Sequence, residues 1–119
     1  MAQTKIHFTT PANVLHVLSG QDVSWTDLDL SAYLPEGATG VLLQLSLLTY
    51  GTTALLETRK KGYAGTVTSC VATMQEGYWH HNFLILECDA NQTIQYQLSG
   101  RGPENTADYD IGLFAYLNA

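Results

Sequence analysis

The sequence predicts an all-β domain, an antiparallel β-sandwich of about eight strands in a jelly-roll-like arrangement. Apolar and polar side chains alternate with a period of two through most of the chain, and turn residues separate the alternating runs. No run has helical spacing longer than one turn, which argues against a helical or mixed fold. The 119 residues are enough for one hydrophobic core. We therefore expect one sandwich domain over residues 13–119, preceded by an N-terminal arm or edge strand over residues 1–12.

The run from Trp25 to Tyr50 is the element around which the rest of the chain is organised. It consists of an alternating segment, a corner rich in proline and glycine, and a long apolar segment. The long segment is apolar on one face and half apolar on the other, which indicates a strand covered on both sides for part of its length. The side chains predicted to face the core are Val41, Leu43, Leu45 and Leu47.

The remaining strands follow from shorter alternating or β-branched runs bounded by glycine, asparagine and aspartate. Segment 13–19 is short and apolar, and segment 93–99 alternates most regularly. Segment 78–87 is an apolar strand that begins with two imidazoles, and segment 110–117 closes the chain with aliphatic and aromatic residues. The full set of predicted strands is 13–19, 23–30, 40–50, 53–60, 67–74, 78–87, 93–99 and 110–117.

Composition and charge exclude several classes of function. Five Lys and Arg face eleven Asp and Glu, so the net charge is −6. Nucleic acids and anionic membranes are poor partners for such a surface, because phosphate contacts require basic side chains. No apolar run approaches the roughly 20 residues of a membrane helix, and the N-terminus lacks the pattern of a signal peptide. Charged residues make up only 13% of the chain, a composition typical of strands and turns or of a surface partly covered by other protein.

No arrangement of residues predicts catalysis, a metal site or a cofactor. His80 and His81 are adjacent, so on a strand they point to opposite faces and cannot share a metal ion. Cys70 lies in a β-branched run typical of a small apolar filler. Cys70 and Cys88 could form a disulfide if their strands were neighbours, but two thiols made in a reducing cytosol are more often free. We expect the chain not to be an enzyme.

The aromatic residues near predicted loops allow two interpretations. Tyr63, Tyr78 and Trp79, with His80 or Asn82 for polar contacts, could form a platform on which a sugar stacks. Alternatively, they pack in the core or between subunits, where tyrosine and tryptophan are enriched. We favour packing, because no known sugar-site pattern links these residues.

Two stretches resemble a known family. SWTDLDLSAYLPEGATGVLLQL is similar to a pattern in virion proteins of tailed phages, and ANQTIQYQLSG with DYDIGLFAYLNA resembles the last two strands of the same domains. The match covers about half of the chain and leaves 53–81 unaligned. The resemblance implies a small jelly-roll sandwich, commonly trimeric, found at tail-fibre tips or as capsid decoration (cement) protein. The residues that carry the first pattern are Asp29, Leu30, Ser31, Tyr33, Pro35, Gly37 and Ala38.

On this resemblance we expect a homotrimeric decoration protein on the exterior of a capsid, made in the host cytoplasm. Its partners would be copies of itself and the major capsid protein. A tail-fibre tip, or a module that binds a receptor or glycan, is the alternative. The N-terminal segment could add a strand to a neighbour or touch the shell, and its candidate contact residues are Lys5, Ile6, His7 and Phe8.

Overall fold

A computed structural model describes residues 3–49, 53–63, 69–72, 77–100 and 106–119, with backbone alone for 69–72. These residues contain eight strands and no helix, so the all-β prediction is confirmed. Two predicted features lie outside the described part: both ends of the predicted strand 67–74, and the side chain of Cys70. The strands are β1 (Ile6–Gly20), β2 (Val23–Asp29), β3 (Gly40–Thr49), β4 (Leu55–Lys60), β5 (Ser69–Ala72), β6 (His80–Glu87), β7 (Thr93–Ser99) and β8 (Ala107–Leu117).

The strands form two four-stranded sheets in a sandwich-like arrangement. Sheet A has the order β1-β8-β3-β6, and sheet B has the order β2-β7-β4-β5. Every pair of neighbouring strands is antiparallel. One core cluster draws on both sheets, with leucines of β3 and β8 on one side and Leu56, Ile94 and Leu98 on the other. The inner faces are therefore apolar in both sheets, as the period-two pattern requires.

Strand β3 lies in the interior of sheet A, so the side chains of its outer face are flanked on both sides by those of β8 and β6. Its inner face is fully buried, and the predicted core positions are confirmed. On its outer face Ser46 and Leu48 are also buried, at 7% and 6% exposure. The prediction of a strand covered on both sides for part of its length is thus confirmed. The inner-face residues are Val41, Leu43, Leu45 and Leu47.

The corner between β2 and β3 is held by hydrogen bonds to a distant turn. The side-chain amide of Gln92 donates to the carbonyls of Pro35, at 2.8 Å, and Ala38, at 3.2 Å. Gly37 has φ +89°, a left-handed conformation that favours glycine. Leu34 inserts its side chain into the core from this corner. The corner therefore closes one end of the core between the sheets.

The N-terminal segment is an edge strand from Ile6 onward. It pairs with β8 from Ile6–Leu117 to Gly20–Ala107, so the predicted boundary after residue 12 falls inside one strand. The register shifts between Phe8 and Ala12, around Pro11, which has no N–H to donate. At its start, the Lys5 N–H donates to the Asn118 side chain, and the Asn118 N–H donates to the Lys5 carbonyl. In the described residues this segment therefore adds a strand to its own sheet.

Candidate functional site on the outer face of sheet A

The outer face of sheet A carries an apolar row across all four of its strands. The strand register places Phe8 of β1, Ala115 of β8, Leu42 of β3 and Ile85 of β6 side by side. Phe8 is 78% exposed and Ile85 is 56% exposed, whereas Ala115 between them is fully buried. Residues in one row of a sheet point to the same side. The row therefore presents two large apolar side chains to solvent with a low floor between them.

Apolar residues also occupy the neighbouring rows. Ile6 pairs with Leu117 on one side, and Phe83 lies on β6 two residues from Ile85 on the other. The rings of Phe83 and Phe114 meet edge to face, with centroids 5.3 Å apart. The row of Ile6 and Leu117 ends at Glu87 of β6, whose carboxylate therefore borders this area. The row of Phe83 also holds the uncharged polar residues Gln44 and Asn13. We call this surface the apolar band, which comprises Ile6, Phe8, Leu42, Phe83, Ile85, Phe114, Ala115 and Leu117.

A polar row borders the apolar band on the same face. It contains His16, Asp110, Ser46 and His81, one residue from each strand of sheet A. Nδ1 of His16 contacts Oδ1 of Asp110, and Ser46 Oγ lies 2.7 Å from Nδ1 of His81. Serine, histidine and aspartate are the groups of a hydrolase triad, but here they form two separate pairs. Asp110 binds a different imidazole from the one beside Ser46, so the relay in which one histidine bridges serine and carboxylate is not formed.

The predicted aromatic platform is divided between the two ends of the sandwich. Tyr63 follows the end of β4 where Lys60 pairs with Ile94, at the start of β7. Trp79 precedes β6, whose first residue pairs with Leu47 near the end of β3. The β6–β7 turn follows the other end of β6, so Trp79 lies at the end of the sandwich opposite to this turn. A single surface containing Tyr63, Tyr78 and Trp79 is therefore not formed. Tyr78 and Trp79 are exposed together at one end.

Trp79 and His80 have different environments. The Trp79 ring stacks on His81, with centroids 6.3 Å apart and an interplanar angle of 13°, so it extends the polar row on the outer face. Nδ1 of His80 lies 3.0 Å from the Tyr78 carbonyl, and His80 pairs with buried Leu47, on the inner side. Adjacent His80 and His81 thus occupy opposite faces, as expected for a strand.

The four predicted contact residues of the N-terminal segment also divide between faces. Ile6 and Phe8 belong to the apolar band on the outer face. His7 is on the inner side and stacks on Tyr116, with centroids 4.9 Å apart; its Nε2 is buried without a hydrogen-bond partner. Lys5 precedes the strand and is held by Asn118. Only two of the four residues therefore contribute side chains to the candidate surface.

The outer face of sheet B has the opposite character. The Gln95 amide donates to Asp27 and accepts from Nε of Arg59, each at 2.9 Å. Nζ of Lys61 lies 2.6 Å from the other oxygen of Asp27, and the Arg59 guanidinium stacks 4.0 Å over the Trp25 ring. These hydrogen bonds, first that of Lys61 and then that of Gln95, lower the pKa of Asp27. The polar side chains of this face are thus partnered with one another.

A cleft of about 780 Å³ lies where the β2–β3 corner meets the β6–β7 turn. Its lining includes Glu36, Lys60, Glu87 and Cys88. Cys88 is a free, buried thiol whose pKa is raised by that burial, so it is a poor nucleophile here. Within the described residues no group of three or more His, Cys, Asp or Glu side chains is placed to hold a metal ion. No helix in the described part could cross a membrane.

Sequence reasoning singled out Ile6 and Phe8 but missed Phe83 and Ile85. The signal was present, because Phe83 and Ile85 alternate with Leu84 and Leu86 and make the strand apolar on both faces. That pattern predicts a strand with protein on both sides. The structure places β6 at the edge of sheet A, so its outer apolar residues are exposed.

Comparisons with known proteins give no relative to guide the interpretation: neither the protein-family models nor the curated proteins contain a match to this chain.

Proposed function

We propose that this chain is a structural virion protein of a tailed phage, a homotrimeric decoration protein that stabilises the capsid from outside. The observation that carries the proposal is the apolar band, an exposed surface suited to contact with protein. The two stretches that resemble phage virion domains indicate which kind of assembly. The separate Ser46–His81 and His16–Asp110 pairs give no reason to assign the chain an enzymatic reaction.

The order of the strands supports the jelly-roll part of the proposal. The chain alternates between sheets from β1 to β4 and again from β5 to β8, with β4 and β5 adjacent in sheet B. The result is two four-stranded antiparallel sheets with orders 1-8-3-6 and 2-7-4-5. Eight-stranded double-sheet jelly rolls recur in viral capsid and lectin domains. Fold alone does not determine function, so the surface has to carry the rest of the inference.

The proposed mechanism is stabilisation by mass action. A protein that binds the assembled shell, and not its dissociated subunits, stabilises the shell by an amount that grows with its free concentration relative to its dissociation constant. No chemical step is required, and the chain needs only a rigid body and a binding surface. The sandwich supplies the rigid body, because its core runs through both sheets.

The test is quantitative mass spectrometry of purified virions, with the major capsid protein as internal standard. A decoration protein is expected at a fixed ratio to the capsid protein, and removing it should lower the temperature at which the shell ruptures. Re-addition of the purified chain should restore that temperature. Absence of the chain from virions would contradict the proposal. So would a rupture temperature that does not change when the purified chain is added to the shell.

A tail-fibre tip or glycan-binding module is the second candidate, and exposed Tyr78 and Trp79 at one end of the sandwich favour it. Aromatic rings that face solvent can stack on sugars. A glycan array with Trp79→Ala and, as matched control, Tyr63→Ala at the opposite end separates the candidates. Binding that is lost only with Trp79→Ala supports the glycan module, and no binding by the unmodified chain rejects it.

A further inference from the structure

We propose that the apolar band on the outer face of sheet A is the surface through which copies of this chain associate. This deepens the proposed function, since it rests on the homo-oligomer and specifies the face that forms it. In a cyclic assembly each copy presents the same face towards the symmetry axis. The occupant of the band is then the band of a neighbouring copy.

The exposed area is the first argument. A fully exposed phenylalanine presents on the order of 200 Å², and the exposures of Phe8, Phe83, Ile85 and Ile6 range from 49% to 78%. With the partly exposed Leu42, Phe114 and Leu117, the band offers several hundred Å² of apolar surface, a substantial part of the roughly 800 Å² per partner of a standard interface. Contiguous apolar patches of this size are often functional contact sites.

Charge favours a second copy as the occupant. The chain carries a net charge of −6, so two copies repel each other at long range. The cost of close approach is lowest where neither surface holds a charge, because burying unpaired charges is expensive. The apolar band contains no charged residue, whereas the outer face of sheet B contains Asp27, Arg59 and Lys61. Charged residues of this face, such as Glu87 and Asp110, lie at the borders of the apolar band, so the band itself is the surface on which identical acidic chains can meet at the lowest cost.

The relief of the band also suits a copy of itself. Large side chains stand on the two edge strands, Phe8 on β1 and Ile85 on β6. Between them Ala115 and Gly112 of β8 are buried and form the lowest part, and the partly buried Leu42 and Phe114 flank it. Each copy thus has apolar ridges on both sides of a shallow trough, and the ridge of one copy can fill the trough of the next.

Association through the sheet edge is disfavoured on the β1 side. Pro11 cannot donate a backbone hydrogen bond, and the register shifts on both sides of Asn13 make this edge irregular. Both devices are common protections against strand addition. The face of sheet A is therefore the more suitable contact.

The experiment compares the mass in solution of the unmodified chain, Ile85→Glu and Tyr33→Glu, by light scattering and sedimentation across a concentration series. Tyr33 is the matched control, because it is 46% exposed but lies in the corner after β2, outside the strands of sheet A and outside the apolar band. We expect Ile85→Glu to weaken association by at least about a hundredfold, since every interface would then bury an unpaired carboxylate. Tyr33→Glu should associate like the unmodified chain.

Circular dichroism and thermal unfolding show whether each variant folds. If Ile85→Glu does not fold, Phe8→Ser on the other side of the trough replaces it, because the 78% exposed Phe8 side chain contributes little to the fold of one copy. Loss of association with either folded variant supports the proposal. An unmodified chain that is monomeric at about 100 µM, well above the dissociation constants of typical weak interfaces, would overturn it.

Association that persists in Ile85→Glu and in Phe8→Ser would also overturn it, because the copies would then meet through another surface. These outcomes are independent of the virion measurement. If the chain occurs on the capsid as a monomer, its decoration role stands, but the homotrimer and this inference are rejected. If Ile85→Glu abolishes association but the chain is absent from virions, this inference stands and the proposed virion role is rejected.

Discussion

The outer faces of the two sheets differ in character: sheet A, whose strands have 8 to 15 residues, exposes apolar side chains, whereas sheet B, whose strands have 4 to 7, exposes polar ones. On sheet B, Asp27, Gln95 and Arg59 form a chain of hydrogen bonds across three strands. On sheet A, the corresponding rows hold Phe8 and Ile85, which have no polar group to satisfy and remain exposed. Both sheets have apolar inner faces, so the difference is confined to the outside.

This difference indicates separate roles for the two faces. A polar face whose groups bond to each other and to water is stable without a partner. A contiguous apolar face keeps several side chains in unfavourable contact with water until another surface covers it. We therefore assign the outer face of sheet B to solvent and that of sheet A to protein contact.

The largest effect is expected for Leu48→Ala compared with Gln97→Ala. Both residues point outward from interior strands, Leu48 from β3 and Gln97 from β7. Leu48 is 6% exposed, so its truncation should lower the free energy of unfolding by about 2–4 kcal/mol. Gln97 donates to Glu57 at 3.1 Å, and its truncation should cost about 1 kcal/mol or less. Urea unfolding monitored by fluorescence measures both.

All chains in that measurement must be at one protein concentration, because association adds a concentration-dependent contribution to stability. Equal costs for the two substitutions would contradict the division of the faces. A larger loss for Gln97→Ala would reverse it, since sheet B would then hold the more tightly packed outer surface.

Much of this fold could be predicted because the signals were local. Alternation of side chains identified the strands, and the leucines at alternate positions from Leu43 to Leu47 identified the inner face of β3. The corner followed from Pro35 and Gly37, whose backbone preferences are intrinsic to the residues. Such features depend on residues a few positions apart and need no knowledge of the tertiary arrangement.

The candidate surface could be predicted only in part because it depends on strand order. Phe8 and Ile85 are far apart in the sequence and share a row only because β8 and β3 lie between their strands. Tyr63 and Trp79 are nearer in the sequence, yet the pairing of β4 with β7 and of β6 with β3 places them at opposite ends. Alternation reveals which residues share a face of one strand, but not which strands become neighbours.

A medium effect is expected at high pH from Tyr109, which lies on the inner face of sheet A with its ring 6.3 Å from Tyr96 of sheet B. Burial raises its pKa to about 12. In the unfolded chain the phenol ionises near pH 10, so its contribution to stability is complete below pH 10 and is lost as the pH rises towards 12. The contrast between the outer faces assumes that the two sheets share one dry interior. A dry interior predicts that the Tyr109 phenol ionises only at this high pH.

Phenolate absorbance during a pH titration measures it. Tyr109→Phe should remove one late-titrating group and reduce the loss of stability between about pH 10 and 12. The exposed Tyr33→Phe should leave the late phase intact. A Tyr109 that titrates together with the exposed tyrosines would mean that water enters between the sheets.

The smallest effect is expected for Asp27→Asn on the outer face of sheet B. The hydrogen bond from Lys61, and then that from Gln95, lowers the pKa of Asp27, so the carboxylate favours the folded state above its ordinary pKa near 3.8. That contribution is lost as the pH falls below this value, because the carboxyl group of Asp27 is then protonated in both the folded and the unfolded state. Asp27→Asn should lower the urea midpoint slightly at pH 7, less in concentrated salt, and not at all near pH 2. A decrease in the urea midpoint that is as large as that of Leu48→Ala, or that does not depend on the salt concentration, would contradict this assignment. It would show that the hydrogen-bond network holds sheet B together and that this face is more than a hydrated surface.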